Sequence, residues 1–392
     1  MKILTFTTLY PNNIKTGHGI FVEQRLRKLL QLKGITAKVV APIPWFPFSS
    51  EKFGQYAKFA KVKKTEERFG ICIEHPRYPL IPKIGMTLAP ILMALSLYPV
   101  LKKMLQKGDD FDVIDAHYFY PDGVAAAILG KVLNKPIVIT ARGTDVNLIP
   151  KFYFPRKMIL WAAEYATHIV TVCEALKNEL ISLGVEKAKI SALRNGVDLE
   201  FFHPKEPNQS KKYLNIHRHT LLSVGHLVER KGHHLVIEAM QNLPEYDLLI
   251  AGDGEEMSTL KKLAQHLNVM ERVTFLGSVS HQELVTIYSA VDLLVLASSR
   301  EGWANVLLEA MACGTPAIAT NIWGTSEVIT APEAGLLIEK RSANAIVEAV
   351  RTIEKNMPSR EKTRRYAENF SWDDTVNHLY KLFEQIASVK KE

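Results

Sequence analysis

Ala297–Thr320 reads ASSREGWANVLLEAMACGTPAIAT, and the apolar run LLVLAS (Leu293–Ser298) leads into it. That run has the length and continuity of a parallel strand buried on both faces. Behind it, Val306, Leu307, Ala310 and Met311 recur at helical spacing. Cys313-Gly314 closes the helix, because Gly suits the left-handed C-terminal position, and Pro316 prevents continuation. PAIAT (Pro316–Thr320) then starts the next strand. Strand, loop, helix, strand is one βαβ unit, so the fold class is α/β. In open sheets of this kind ligands bind beyond the carboxyl ends of the strands, which makes the loop between strand and helix a candidate site.

Glu301 lies in that loop and Glu309 lies along the helix, and neither is expected to serve packing. For Glu309 the plain alternative is an ordinary solvated helix face. Gly302 lets the backbone approach a ligand closely. The helix N-terminus near Ala304-Asn305 offers unpaired N–H groups and the positive dipole end to an anion. A carboxylate pair beside a phosphate-sized anion site suits a nucleotide sugar. The helix end takes the diphosphate, one Glu takes the ribose hydroxyls, and the other reads the sugar.

EGWANVLLEAMACGTPAIAT (Glu301–Thr320) resembles the donor-site signature of retaining glycosyltransferase family 4, which has the GT-B fold. The resemblance implies two facing Rossmann-like domains with a deep inter-domain cleft. It assigns Glu309 to the donor ribose and Glu301 to the catalytic site, with Gly302, Trp303, Ala304 and Asn305 as the donor-sugar loop.

Composition agrees with a protein of this size and kind. The 392 residues suffice for two domains, and 47% hydrophobic with 23% charged residues is ordinary for a soluble globular chain. Cys72, Cys173 and Cys313 form no CxxC pair, so neither a disulfide framework nor a zinc site is expected, and a reducing cytoplasm fits. MKILTFTTLYP reads as a first buried strand rather than a signal peptide. The net charge of +8 suits anionic partners, but no nucleic-acid motif accompanies it. Ile84–Leu101 is the nearest approach to a membrane span, and Pro90 and Pro99 argue against one.

The first half alternates strands and helices. Lys2–Thr7 predicts a strand, Thr8–Gly19 a loop, and Ile20–Lys33 a helix, with Ala37–Ala41 the next strand. Gly17-His18-Gly19 fails as a dinucleotide fingerprint, because Val22 holds the third glycine position. Family resemblance gives Gly17 and Gly19 a place near the donor phosphates. PIPWFPF (Pro42–Phe48), the basic run Lys58–Arg68 and a helix over Gly85–Lys107 admit two readings. One is a solvated charge run over a core helix; the other is a patch that meets anionic lipid.

DAHYFYPDG, starting at Asp115, resembles the family segment in which His117 reaches the transferred sugar. In Ala141–Val146 an Arg stands where the family usually has His, which places Arg142 and Asp145 on the acceptor side. NGVD at Asn195 and the following Phe202-His203-Pro204 close the first domain, and Lys205–Lys212 reads as a linker. In HLVERKG, Lys231 matches the family's diphosphate lysine, while His226 replaces its arginine and Arg230 can supply the missing charge.

The expected domains are therefore 1–204, completed by the last helix at about 372–392, and 205–371. The expected activity is retaining transfer of a hexose-type unit from a nucleotide diphosphate sugar to an acceptor hydroxyl, in surface polysaccharide or glycolipid synthesis. Catalytic roles fall to His117 and Glu301, and diphosphate binding to Arg230, Lys231, Gly17 and Gly19. No cofactor or metal is expected, since no Asp-x-Asp is placed to bridge a metal to a diphosphate. The partners are a nucleotide-sugar donor, a glycan or lipid-linked acceptor and an anionic membrane surface, with no nucleic acid. The expected location is cytoplasmic, peripheral on the inner face of the membrane. A nucleotide-sugar epimerase and a non-catalytic nucleotide-sugar-binding protein are the rival readings.

Overall fold

The computed structural model describes residues 1–80 and 85–388. The chain divides into two compact units, one of residues 1–194 with the chain from Asp373 onward, the other Asn195–Trp372. The break falls at Arg194, earlier than the 204/205 boundary read from the sequence. Hydrogen bonds explain the difference. Val197 N–H donates to the Phe370 carbonyl, and Arg364 donates to the carbonyls of Leu199 and Phe202, so 195–204 is tied into the second unit.

In the first unit the strands are β1 (Lys2–Phe6), β2 (Thr36–Val40), β3 (Ile43–Trp45), β4 (Thr65–Arg68), β5 (Ile71–Glu74), β6 (Arg77–Pro79), β7 (Val113–His117), β8 (Ile137–Ala141), β9 (His168–Thr171) and β10 (Ile190–Ala192). Eight of them form one sheet in the order β10-β9-β8-β7-β1-β2-β5-β4, and β3 pairs with β6 separately. All neighbours in the large sheet are parallel except β4, which runs antiparallel to β5. Every residue of β7 and β8 is buried, as helix-covered parallel strands require. The order of strands reverses between β1 and β7, so their carboxyl ends flank a crevice suited to ligands.

The helix Gly85–Gln106 carries Pro90 and Pro99 internally and buries Met93, Leu97 and Leu101. It packs on the Val124–Leu133 helix. Its outer face exposes Leu95 to 67%. By length and composition alone, Met86–Gln106 could cross a membrane; its buried stripe serves the core of the first unit.

The second unit has one sheet of β11 (His219–Val224), β12 (Tyr246–Ala251), β13 (Val273–Gly277), β14 (Leu293–Leu296), β15 (Ala317–Thr320) and β16 (Gly335–Ile338). Their order is β13-β12-β11-β14-β15-β16 and all are parallel. This is the order of a dinucleotide-binding sheet, with its switch point between β11 and β14. The opening βαβ unit is therefore β14, the helix Asn305–Ala312 and β15. Gly314 takes φ of 84° just past the helix, as its place in the sequence predicts. Lys205–Lys212 is not a bare linker, because Pro207–Tyr213 is helical. Pro207 suits the first turn, and the Glu206 carboxylate accepts from Gln209 N–H as the cap.

Candidate active site

Two loops meet at the switch point of the second unit. One follows β11 and holds the turn Glu229–Lys231; the other follows β14 and holds Glu301. Gly232 joins them closely: its φ is 75°, and a Cβ there would lie 2.0 Å from the Ala297 carbonyl oxygen. Arg341 reinforces the junction by donating to the carbonyls of Ala297 and Glu229.

The result is a compact ionic cluster. Lys231 Nζ lies 2.6 Å from Glu301 Oε1, and Ser298 Oγ donates to the same oxygen at 2.7 Å. Arg230 Nη1 lies 3.5 Å from it and donates to the Arg300 carbonyl at 2.7 Å. Glu301 is only 9% exposed, so its carboxylate is held by these partners rather than by bulk water. Gly225 keeps the β11 exit open to the Lys231 stem, since a Cβ there would sit 3.3 Å from Lys231 Cε. His226 stands apart from the cluster, with Nδ1 3.3 Å from the Asp253 carbonyl oxygen.

The helix Asn305–Ala312 begins at Ala304 with no side-chain cap, and a helix N-terminus presents its positive dipole end to an anion. Asn305 Oδ1 accepts from Asn195. Gly302, Trp303 and Ala304 are buried in the loop, and the Trp303 ring packs 6.4 Å from Phe370. Glu309 is neither solvated nor idle in packing. It is 8% exposed, and Oε2 accepts from the Tyr288 hydroxyl at 3.0 Å. Burial pushes its carboxyl up, opposed by nearby His281 and by the Tyr288 bond.

In the first unit, His117 ends β7 and Arg142 follows β8, on adjacent parallel strands. His117 is 1% exposed. Its Nε2 lies 3.1 Å from Asp115 Oδ2, and its Nδ1 lies 2.6 Å from Arg142 Nη2. Arg25 donates to both oxygens of Asp115 at 2.8 Å and to Thr140 at 3.0 Å. Arg142, expected to face an acceptor, is 8% exposed, and its guanidinium lies 5.0 Å from the Phe21 ring centroid. Asp145, expected on the same side, is wholly buried and braces the loop. It accepts from the N–H groups of Phe119, Arg142 and Gly143. Gly19 caps the Ile20–Leu30 helix with φ of 67°, where a Cβ would lie 2.3 Å from Leu9 backbone atoms. A Cβ on Gly17 would meet nothing within 4 Å.

Residues 24–201 match the model of Glycosyltransferase Family 4, and residues 204–370 match that of Glycosyl transferases group 1. A Bacillus subtilis (strain 168) glycosyltransferase named for teichuronic acid biosynthesis is 30% identical over 357 residues, covering 89% of this chain and 88% of its own. The chain belongs to glycosyltransferase family 4. Solved structures share the GT-B fold at low identity. Sucrose-phosphate synthase from Thermosynechococcus elongatus aligns at a TM-score of 0.80 with 20% identity, over 99% of both chains. The HepE protein of Anabaena, solved with UDP, aligns at 0.74 with 17% identity, over 98% of this chain and 100% of its own.

This glycosyltransferase holds its histidine neutral. Burial, with the positive charges of Arg25 and Arg142, outweighs the pull of Asp115 and pushes His117 down to about 3. Burial would raise Asp115, but Arg25 and His117 hold it well below the usual carboxylate range. The sequence reading of the glycosyltransferase missed Arg25, although a signal was present. Val22, Arg25, Leu26 and Leu29 form the buried stripe of their helix, and a charge in such a stripe implies a buried partner. Tyr288 and Arg341 carried no comparable signal, since their partners come from distant stretches of chain.

Proposed function

We propose that this glycosyltransferase moves a hexose-type sugar from a UDP- or GDP-linked donor to an acceptor hydroxyl, with retention and without a divalent metal. The observation that carries this reading is the Lys231–Arg230–Glu301 cluster beside the uncapped Asn305 helix end, at the switch point of the second sheet. Two cations and a helix N-terminus can neutralise a diphosphate leaving group. Glu301 is freed to address sugar hydroxyls when the diphosphate takes over Lys231 and Arg230. Glu309 pairs with the ribose hydroxyls, its place on the helix set by Tyr288.

The proposed step is a front-face substitution. The bond from the anomeric carbon to the phosphate oxygen breaks, and its electron pair leaves with the nucleotide. The acceptor oxygen forms its bond on the same face, and its proton passes to a departing phosphate oxygen. Double displacement needs a carboxylate nucleophile. His117 occupies the strand tip, and Asp145, the nearest fallback, is committed to three backbone N–H groups. His117 orients a sugar hydroxyl and need not act as a base.

Surface polysaccharide or glycolipid assembly is the proposed setting, in line with the teichuronic acid name of the Bacillus subtilis relative. A cytoplasmic protein peripheral to an anionic membrane fits the exposed Trp45 and Phe48 and the exposed Lys58, Lys61, Lys63 and Lys64. A panel of nucleotide sugars, each with candidate acceptors, tests the central reading. Free nucleoside diphosphate and a glycosylated product are expected, with chelator present. An altered sugar still on its nucleotide would indicate an epimerase instead; binding without turnover would indicate a sensor.

A further inference from the structure

Thr7 and Thr8 leave β1 beside His117, the last residue of β7, and these two strands flank the point where the sheet order reverses. Thr7 N–H continues the ladder to the Val40 carbonyl, so Thr8 is the first residue off the sheet. Its N–H finds an acceptor outside the strands. Asp122, wholly buried in the segment after β7, supplies it. Asp122 Oδ2 accepts from the Thr8 N–H at 2.6 Å and from the Thr8 hydroxyl at 2.9 Å, and Oδ1 lies 3.1 Å from the same hydroxyl. Thr7 Oγ1 lies 3.1 Å from the His117 carbonyl oxygen and 3.4 Å from Asp122 Oδ2, and it accepts from the Leu9 N–H at 2.9 Å.

We propose that Asp122 is a positioning residue for the transfer: it anchors the root of the Thr8–Gly19 loop to the exit of β7 and so fixes one wall of the crevice between β1 and β7. Its effect on kinetics rests on the transferase reading; the anchor itself does not. The contacts run on from the root of the loop. A Cβ on Gly19 would meet Leu9 backbone atoms at 2.3 Å, so the place of Thr8 and Leu9 sets where the chain turns into the Ile20–Leu30 helix. That helix carries Arg25, which donates to both oxygens of Asp115 on β7. Midway along the loop, Asn12 Oδ1 accepts from the N–H groups of Ile14 and Lys15, and Asn13 N–H donates to Glu66 of β4. The chain of contacts therefore begins and ends on β7, with Asp122 at one end and Asp115 at the other.

Either protonation state of Asp122 can serve as the anchor. Burial pushes its carboxyl up to about 7, opposed by the bonds from Thr8 and Thr7, with the charge of Asp145 adding to the rise. Ionised, it accepts from the amide and from the hydroxyl. Neutral, its carbonyl oxygen still accepts from the amide while its O–H donates to Thr8 Oγ1. An asparagine side chain offers the same acceptor and donor. Asp122→Asn therefore preserves the anchor, and Asp122→Ala removes it.

Two measurements on the full chain test the anchor. Amide hydrogen exchange of threonine-labelled protein needs no substrate, and the signal missing from Thr8→Val identifies Thr8. Exchange at Thr8 should quicken by about 10-fold or more in Asp122→Ala and stay within about threefold of the parent in Asp122→Asn. A rate unmoved in Asp122→Ala, or as fast in Asp122→Asn as in Asp122→Ala, overturns the anchor. The second measurement compares kcat and KM for the nucleotide sugar and for the acceptor. Asp122→Ala should raise at least one KM by about 10-fold, and Asp122→Asn should raise it by less than about threefold. A mere loss of folded molecules would lower kcat and leave both KM values in place, and that result overturns the positioning role. Thr8→Val keeps the backbone bond and loses the hydroxyl; it serves if Asp122→Ala does not fold, and should raise one KM by about three- to fivefold. An absence of turnover by the parent with every donor would instead sink the transferase reading, while amide exchange still judges the anchor.

Discussion

Glu309 shows how a helix position that reads as solvated can be buried. Its spacing from Glu301 was legible in the sequence, but its burial against Tyr288 was not, since a tertiary contact across 21 positions obeys no spacing rule. Glu309→Ala should weaken nucleotide-sugar binding by about 1.5–3 kcal/mol, the range for hydrogen bonds to a charged group. Titration calorimetry beside a thermal melt separates binding from folding, and unchanged affinity in a well-folded variant would remove Glu309 from the site. Near the cluster, His233 is buried and linked to Ser223 and the His226 carbonyl. Burial first, then the charges of Lys231 and His234, pushes it down to about 4 from its ordinary 6.5. The folded state therefore disfavours its protonation, so its contribution is present above about pH 6.5 and is lost as pH falls toward 4. Melting temperature should drop across that interval, and His233→Gln should make the drop shallower. An equally steep drop in the variant would assign the acid sensitivity elsewhere.

At the level of elements, continuous apolar runs announced the parallel strands, because strands buried on both faces cannot hide polar residues. β4 escaped notice for the opposite reason. Thr65–Arg68 is polar and lies on the sheet edge, antiparallel to β5, so it read as part of a basic run. The Pro207–Tyr213 helix escaped because its composition is that of a linker, although Glu206 and Pro207 are start signals. Glycines divide by what surrounds them. Gly184 and Gly232 both have positive φ, but only Gly232 faces a backbone carbonyl at 2.0 Å. Gly184→Ala should cost about 1 kcal/mol from backbone strain alone, and Gly232→Ala about 3 kcal/mol or more. Denaturant titrations of the two variants check the difference, and equal costs would mean that the loop after Lys231 is not packed on the β14 exit. Gly17→Ala meets open space, so a folded variant with impaired turnover would point to a ligand beside Gly17 rather than to a structural need.

For the whole molecule, the parallel strands of the two sheets and the family signature were legible, while the division at Arg194 depended on hydrogen bonds that no local pattern displays. The basic, aromatic surface of the first unit yields a prediction at this scale. Phe46 packs edge-on or tilted against Phe48, Phe53 and Tyr56, Phe48 stacks on Phe53, both of these are exposed, and exposed lysines follow in sequence. Binding to anionic vesicles should be strong at low salt and should weaken as salt rises. Sedimentation that is indifferent to replacing Lys58, Lys61, Lys63 and Lys64 would count against this surface.

Catalysis as proposed depends on His117, held neutral at the strand tip, and on a diphosphate site at Lys231 and Arg230. Its most direct test is NMR of the glycosidic linkage in product made from a donor of known anomeric configuration. The account predicts that the product keeps the donor's configuration. An inverted linkage would contradict it.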